Sequence, residues 1–352
     1  MHAVAAVRHG GGVNASFAAL ARFVAVGTLF ATGGMVGAQG AISPRFDQAV
    51  TELLEVPTGQ AFLEAYGAIL RDYRGDADAE RLLEGALRGL VAALDDPYVR
   101  YLSPEEVADD VEARRDPNVV VTGVVGDLGY LRVTSFDSER AGERFATELD
   151  GLLARGVRAL VLDLRGNGGG LVLPGLQVLD RFLTDVVLGY RIGARSRVPL
   201  GFANPSAVGV PVAVLVDGAT ASTAEIVAGA LQTYGRARLY GAVTAGKGVG
   251  QTSVALSDGG ELRLVTFGWS LPDGRSIDGW GLTPDVPIRG DRPVDAMDLI
   301  DAIIDPERDP ALAAALAGLR RTLGDDLADD LGDDRDQGEP NGAEPPAAGM
   351  DR

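Results

Sequence analysis

The chain has 352 residues and a formal net charge of −18, room for one large core or two smaller ones and a poor match to nucleic acid, which needs clustered Lys and Arg. It has no cysteine, which excludes thiol nucleophiles, cysteine metal sites and disulfides. Its only histidines, His2 and His9, precede the first long apolar segment, so the folded part has neither a Ser-His-Asp triad nor a His-rich zinc site.

No acidic residue precedes Asp47, and residues 17–41 are apolar apart from Arg22. The uninterrupted stretch from Phe23 to Val36 has the length of a signal peptide rather than of a membrane span, and Val36-Gly37-Ala38 supplies small residues for cleavage. Residues 1–41 are therefore predicted to be a signal peptide or membrane anchor, which places the protein outside the cytoplasm: periplasmic, extracellular or anchored facing outward.

Residues 44–106 read as helices. Phe62, Ala65, Tyr66, Ile69 and Leu70 recur at helical spacing, as do Leu82, Leu83, Ala86, Leu87, Leu90 and Leu94, until Asp95-Asp96-Pro97 closes the pattern. Residues 107–128 read as a short linker.

From Gly129 the pattern becomes α/β. Tyr130–Val133 is a short strand, Ala141–Ala154 an amphipathic helix, and Ala159–Leu164 an apolar strand of the kind covered on both faces. Gly166-Asn167-Gly168-Gly169-Gly170 leads into a helix ending near Leu179. Val210–Val216 is a second buried strand, followed by a serine-bearing segment that opens another helix. A third strand spans Leu239–Val243, and Thr252–Leu256 with Glu261–Thr266 forms a β pair around Asp258-Gly259-Gly260. A core over 129–290 precedes a helical segment at 291–324 and an acidic tail at 325–352, too poor in apolar residues to fold.

Chemistry concentrates around Lys247, the single lysine among 32 strongly basic residues. Arginine keeps its proton at biological pH, whereas a buried lysine can lose it. Lys247 lies in Gly246-Lys247-Gly248-Val249-Gly250-Gln251, with no acid adjacent, and Gln251 stands four residues on, in register on one face of a helical turn or a strand. With thiols and histidines excluded, an amine is the remaining base for activating a hydroxyl. Thr220, Ser222 and Thr223 are hydroxyls where a buried strand turns into a helix, and capping the helix is the alternative role for any of them. The glycine loop at 166–170 has the wrong spacing for a dinucleotide site but suits an oxyanion hole.

The segments LDLRGNGGG (162–170), TASTAEIVAGAL (220–231), GKGVGQT (246–252) and PDGRSIDGWGLTPDV (272–286), with LLEGALRGLVAALDDPYVRYLSPEE (82–106), resemble the carboxyl-terminal processing (tail-specific) peptidases of serine peptidase family S41. The resemblance implies a ClpP/crotonase-like α/β core behind an N-terminal helical region. It implies Ser222 as nucleophile, Lys247 as general base and Gln251 as its positioner, with the backbone N–H groups of Gly170 and Thr223 as oxyanion hole. No cofactor or metal is expected. The implied activity is that of a serine endopeptidase acting on proteins or peptides, with a homo-oligomer or an activating partner protein as further expected partners. Members of the family usually carry a PDZ domain where this chain has only 107–128. The alternatives are a non-catalytic ligand-binding or scaffold protein on the same fold and an acyl-CoA-type enzyme.

Overall fold

The computed structural model describes residues 44–114, 119–205, 207–288 and 304–324. The signal or anchor expected at 1–41 and the acidic tail at 325–352 lie outside the described residues. No helix among the described residues is long and apolar enough to cross a membrane. The chain divides after Glu80 into two compact units.

The first unit consists mainly of α1 (Pro44–Glu55) and α2 (Pro57–Asp72). Pro57 occupies the first turn of α2, where a missing N–H costs nothing. Gly59 permits the tight turn between them, since a Cβ there would overlap the carbonyl of Leu53. α3 (Ala79–Ala92) begins at its end and runs into the second unit.

The second unit continues with β1 (Arg100–Leu102), α4 (Pro104–Ala113), β2 (Val120–Val125), β3 (Leu128–Val133), α5 (Ala141–Ala154), β4 (Ala159–Asp163) and α6 (Val172–Asp180). β5 (Tyr190–Gly193), β6 (Ser196–Pro199), β7 (Val212–Val216), α7 (Thr223–Thr233) and β8 (Ala237–Gly241) follow. β9 (Val249–Ala255), β10 (Glu261–Ser270), β11 (Val286–Pro287) and α8 (Pro310–Leu323) complete it.

Two features depart from the sequence reading. The helical stretch to 106 is interrupted by β1, a strand that forms because β10 offers an antiparallel partner, with Tyr101 opposite Leu262. The interval 107–128, expected as a linker, carries the end of α4 and all of β2, which pairs along its whole length with β3. Of the C-terminal helical segment, α8 is described and 289–303 is not.

The larger sheet runs β11-β8-β7-β4-β3-β2, parallel except for β2. β4 and β7 are buried on both faces, as their apolar runs require. Leu160, Leu162, Val212, Val214 and Val216 pack with residues of α5, α6 and α7, whereas Ala159, Val161, Ala213 and Leu215 pack with Leu312, Leu316 and Leu319 of α8. This alternation is the two-residue period of a strand serving two cores. The smaller sheet runs β1-β10-β5-β6, with β9 also paired to β10. Parallel strands present their C-terminal ends on one edge, the usual place for a site in an open α/β sheet.

Candidate active site

The C-terminal ends of β4 and β7 are joined by Asp217. Its Oδ1 accepts the N–H groups of Ala219 (3.0 Å) and Thr220 (2.9 Å) within its own turn, and that of Gly166 (3.0 Å) across the gap. The Thr220 hydroxyl donates to the Leu164 carbonyl at 2.9 Å, so of the three hydroxyls this one is structural. Ser222 is the N-cap of α7 with φ 54° and ψ −118°, a left-handed conformation that a non-glycine residue holds only at a cost of about 1–3 kcal/mol. This turn brings Ser222 to the wall of a cavity of about 530 Å³, with the Thr223 N–H at the start of α7 beside it, while the next N–H, that of Ala224, is taken by the Ala221 carbonyl at 3.1 Å.

The glycine loop lies against the same turn. Asn167, fully buried, braces it: its Nδ2 donates to the Val133 carbonyl (2.9 Å), its Oδ1 accepts the Gly169 N–H (2.9 Å), and its carbonyl accepts the Ala221 N–H (2.9 Å). The Gly169 carbonyl accepts the Phe136 N–H at 2.8 Å. In a trans peptide the Gly170 N–H therefore points the opposite way, away from Phe136. The Gly170 carbonyl is fixed in turn by the Thr223 hydroxyl at 2.9 Å. Both glycines have positive φ (98° and 131°), and a Cβ on Gly169 would meet the Ser222 side chain at 2.7 Å.

Lys247 precedes β9 and reaches the same cavity, while Gln251 lies in the strand itself, so the four-residue spacing belongs to a turn running into a strand and not to a helix. Lys247 Nζ donates to Gln251 Oε1 at 3.2 Å, and Gln251 Nε2 donates to the Tyr98 carbonyl, which fixes the amide with its oxygen toward the amine. Nζ also sits 4.8 Å from the centre of the Tyr98 ring. Burial holds the Lys247 amine below its ordinary pKa, and the Asp137 carboxylate opposes this. Trp269 anchors the lysine main chain through a 3.0 Å bond to its carbonyl. Among the described residues no hydrogen bond joins Ser222 Oγ to Lys247 Nζ; the two side chains share the cavity.

Glu225, fully buried, links the two segments. Its Oε1 accepts the Thr244 hydroxyl (2.5 Å) and the Gly246 N–H (2.8 Å), and its Oε2 accepts the N–H groups of Ser222 (2.8 Å) and Lys247 (2.9 Å). A carboxylate has about four acceptor sites, and all are used. Sequence reasoning named Ser222, Lys247, Gln251, Gly170 and Thr223 and missed Glu225, Asn167, Tyr98 and Asp137. Only Glu225 left a signal, the capping-box pattern Ser222-Thr223-Ala224-Glu225. Among the described residues no cluster of His, Asp or Glu has the makings of a metal site.

Two family models match the chain: peptidase family S41 over residues 127–288, and the activating protease CtpB N-terminal domain over residues 41–106. A carboxy-terminal-processing protease of Bartonella bacilliformis is 37% identical over 171 residues, which is 46% of this chain and 39% of that protein. The chloroplastic carboxyl-terminal-processing peptidase 2 of Arabidopsis thaliana is 35% identical over 182 residues, 51% of this chain and 35% of that protein. The chain thus matches little more than a third of the length of these relatives. Among solved structures, a photosystem II D1 C-terminal processing protease superposes with a TM-score of 0.50 at 23% identity, covering 66% of this chain and 87% of that one, a likeness of fold. Residues 127–288 thus form a peptidase family S41 domain, preceded at residues 41–106 by a CtpB-type N-terminal domain.

Proposed function

We propose that the protein is an exported serine endopeptidase that cleaves proteins or peptides through an acyl-enzyme, with Ser222 as nucleophile and Lys247 as general base. The observation that carries this reading is the half-buried Lys247 amine, lowered in pKa and oriented by Gln251, in the cavity that Ser222 enters from the strained N-cap of α7. The neutral amine takes the Ser222 hydroxyl proton as Oγ bonds to the scissile carbonyl carbon. The N–H groups of Gly170 and Thr223 receive the oxyanion. As the tetrahedral intermediate collapses, the ammonium returns its proton to the departing amine, and the C–N bond breaks. Water then attacks the ester with Lys247 again as base, releasing the acid and restoring Ser222. Gln251 holds the amine without exchanging a proton.

Export rests on residues 17–41, and mass spectrometry of the mature N-terminus tests it. Substrate selection is taken to proceed without a PDZ domain, a reading supported by the shortness of the interval 107–128. The decisive experiment for the dyad pairs Ser222→Ala with Lys247→Arg, read by hydrolysis of an unfolded protein and by labelling with a fluorophosphonate. Both variants lose hydrolysis, and the second does so although it keeps the positive charge. Full activity in Lys247→Arg would overturn the mechanism.

A further inference from the structure

A second cavity, of about 480 Å³, lies at the other end of the parallel strands from Ser222 and Lys247, where β7 and β8 begin beside the last turn of α8. α8 reaches this end because it runs against the strands. Asp309 at its start binds Arg165, two residues past β4, and Arg321 and Thr322 in its last turn line the cavity. The length of β7, roughly 13 Å at the usual strand rise, separates the cavity from the loop that carries Ser222.

Three arginines line this cavity, Arg236, Arg238 and Arg321, in a chain whose formal net charge is −18. The side chains of Arg238 and Arg321 make no hydrogen bond or ion pair to another described residue. Arg236 is held in place without being neutralised. Its Nε donates to the Phe182 carbonyl at 3.1 Å, and its Nη2 to those of Val208 and Val210 at 2.9 and 2.8 Å. Burial holds this guanidinium below its ordinary pKa, with no carboxylate acting against it. The negative end of a helix dipole accounts for Arg321, as it does for Arg320 beside it, but not for Arg236 or Arg238.

Tyr240 adds a donor to these cations. It stands two residues from Arg238 in β8, on the face that packs against α8. The residue is only 3% exposed, and a Cβ on Gly318 of α8 would overlap its hydroxyl, so the glycine is what admits it. That hydroxyl makes no hydrogen bond to another described residue. Thr322, by contrast, has its hydroxyl committed to the Gly318 carbonyl at 3.1 Å. Leaving a buried phenol unbonded is costly, and this one lines the cavity that holds the arginines.

We propose that Arg238, Arg321 and the Tyr240 hydroxyl, backed by Arg236, bind the phosphoryl group of a small molecule. The proposal goes beyond the peptidase reading and stands without it. A phosphoryl group carries close to two negative charges on three acceptor oxygens, which suits two free guanidiniums and a phenol better than one carboxylate does. The cavity is larger than a phosphate, and Ala213 and Leu319 give it an apolar floor, so an organic body on the phosphoryl group has space beside it. Inorganic phosphate and a phosphate ester supply the same chemistry.

The test is isothermal titration of the full chain at physiological ionic strength, where attraction to scattered surface charge is screened. The titrants are inorganic phosphate, phenyl phosphate and, as a carboxylate dianion of similar size, phthalate. Phenyl phosphate is expected to bind about tenfold tighter than phthalate. Arg238→Gln and Arg321→Gln each weaken it about tenfold, and Tyr240→Phe about threefold. Arg320→Gln, next to the cavity but outside its lining, changes it by less than about twofold. Tyr240→Phe removes a hydroxyl without a partner, so its denaturant midpoint is not lowered. Tighter binding of phenyl phosphate than of inorganic phosphate identifies an ester as the ligand, and equal binding identifies the phosphoryl group alone. Equal affinity for phthalate, no saturable binding below about 1 mM, or binding that survives Arg238→Gln combined with Arg321→Gln overturns the proposal. So does binding that appears only when Asp325→Asn, Asp326→Asn, Asp329→Asn and Asp330→Asn are combined, which would assign the arginines to that acidic segment of the chain.

Discussion

Ser222 and Lys247 are tied through their main chains to one oxygen atom, Oε2 of Glu225, at 2.8 and 2.9 Å. The two residues come from different crossings of the sheet, after β7 and after β8, and their separation is set by this shared acceptor as well as by the strands. Glu225 is a positioning residue. Glu225→Gln replaces one acceptor oxygen by an NH2 group that faces two donors, leaving them unpaired in a buried place. The expected cost is about 2–4 kcal/mol in denaturant unfolding. Loosening the dyad should also lower kcat about a hundredfold with little change in KM. A variant that loses stability and keeps its kcat would show that Glu225 supports the fold alone.

Asp137 stands on the opposite side of the Lys247 question. In the proposed mechanism Lys247 acts only when neutral, so activity is expected to rise with pH through the lysine pKa, which the Asp137 carboxylate raises by stabilising the ammonium. Asp137→Asn removes the charge and retains an oxygen able to accept from the Ser135 hydroxyl, which donates to Asp137 at 2.8 Å. The acid limb of the kcat/KM profile is expected to move to lower pH. A shift to higher pH, or none, would remove Asp137 from the electrostatics of the base.

The backbone at Ser222 stores strain that can be measured apart from catalysis. At φ 54° alanine suffers as serine does, whereas glycine does not. Both Ser222→Ala and Ser222→Gly remove the proposed nucleophile, so both are expected to be inactive. Ser222→Gly should nevertheless be the more stable by about 1 kcal/mol, the strain relief exceeding the extra freedom of glycine in the unfolded chain. Denaturant midpoints of the two variants provide the comparison, and equal midpoints would mean that the serine turn is relaxed.

Much of this site was legible because its main parts are local. The apolar runs of β4 and β7 declared a sheet with two covered faces, and the loops following them carry Gly170 and Ser222. The single lysine and its glutamine partner are four residues apart and meet within one turn and strand. What stayed hidden depends on distant partners. β5 and β6 show no apolar alternation, since Arg191 and Arg197 lie over the rings of Phe267 and Tyr190 at 4.2 and 3.7 Å. Tyr98 reads as a residue after a helix-breaking proline, and only the pairing of β1 with β10 carries its carbonyl to Gln251. Glu225 left only its capping-box spacing after Ser222, while its bonds to Thr244, Gly246 and Lys247 cross 19 to 22 residues of sequence.

The Gly170 N–H is one of the two donors proposed for the oxyanion hole. With φ 131° and a Cβ that would overlap the Phe136 carbonyl, Gly170→Ala must displace the loop from the Phe136–Asp137 backbone. Rotation of the 169–170 peptide removes one oxyanion donor, for which a loss of kcat of about 10²–10³ is expected. Acylation of Ser222 by a fluorophosphonate should slow in parallel. Unchanged kcat in a folded Gly170→Ala variant would assign the second donor elsewhere.

The most distant prediction concerns the end of the chain. Arg165, one residue before the glycine loop, donates through Nη1 and Nη2 to the two oxygens of Asp309 at 3.0 and 2.7 Å, and Asp309 is the N-cap of α8. Arg165 also binds Asp163, which accepts the Tyr130 hydroxyl at 2.6 Å, so its charge is shared between two carboxylates. Asp309→Asn keeps an oxygen to cap Leu312 N–H, now 2.9 Å from Oδ1, and removes the anion. Because Asp163 remains and Asp309 is 24% exposed, the expected loss of stability is about 1–2 kcal/mol rather than that of a fully buried pair. Asp309→Ala removes the cap as well and should cost about 1 kcal/mol more. Hydrogen exchange should show the loss concentrated in α8 and in residues 165–170, because the guanidinium joins them. Faster exchange confined to α8 would mean that the C-terminal helix and the glycine loop are held independently.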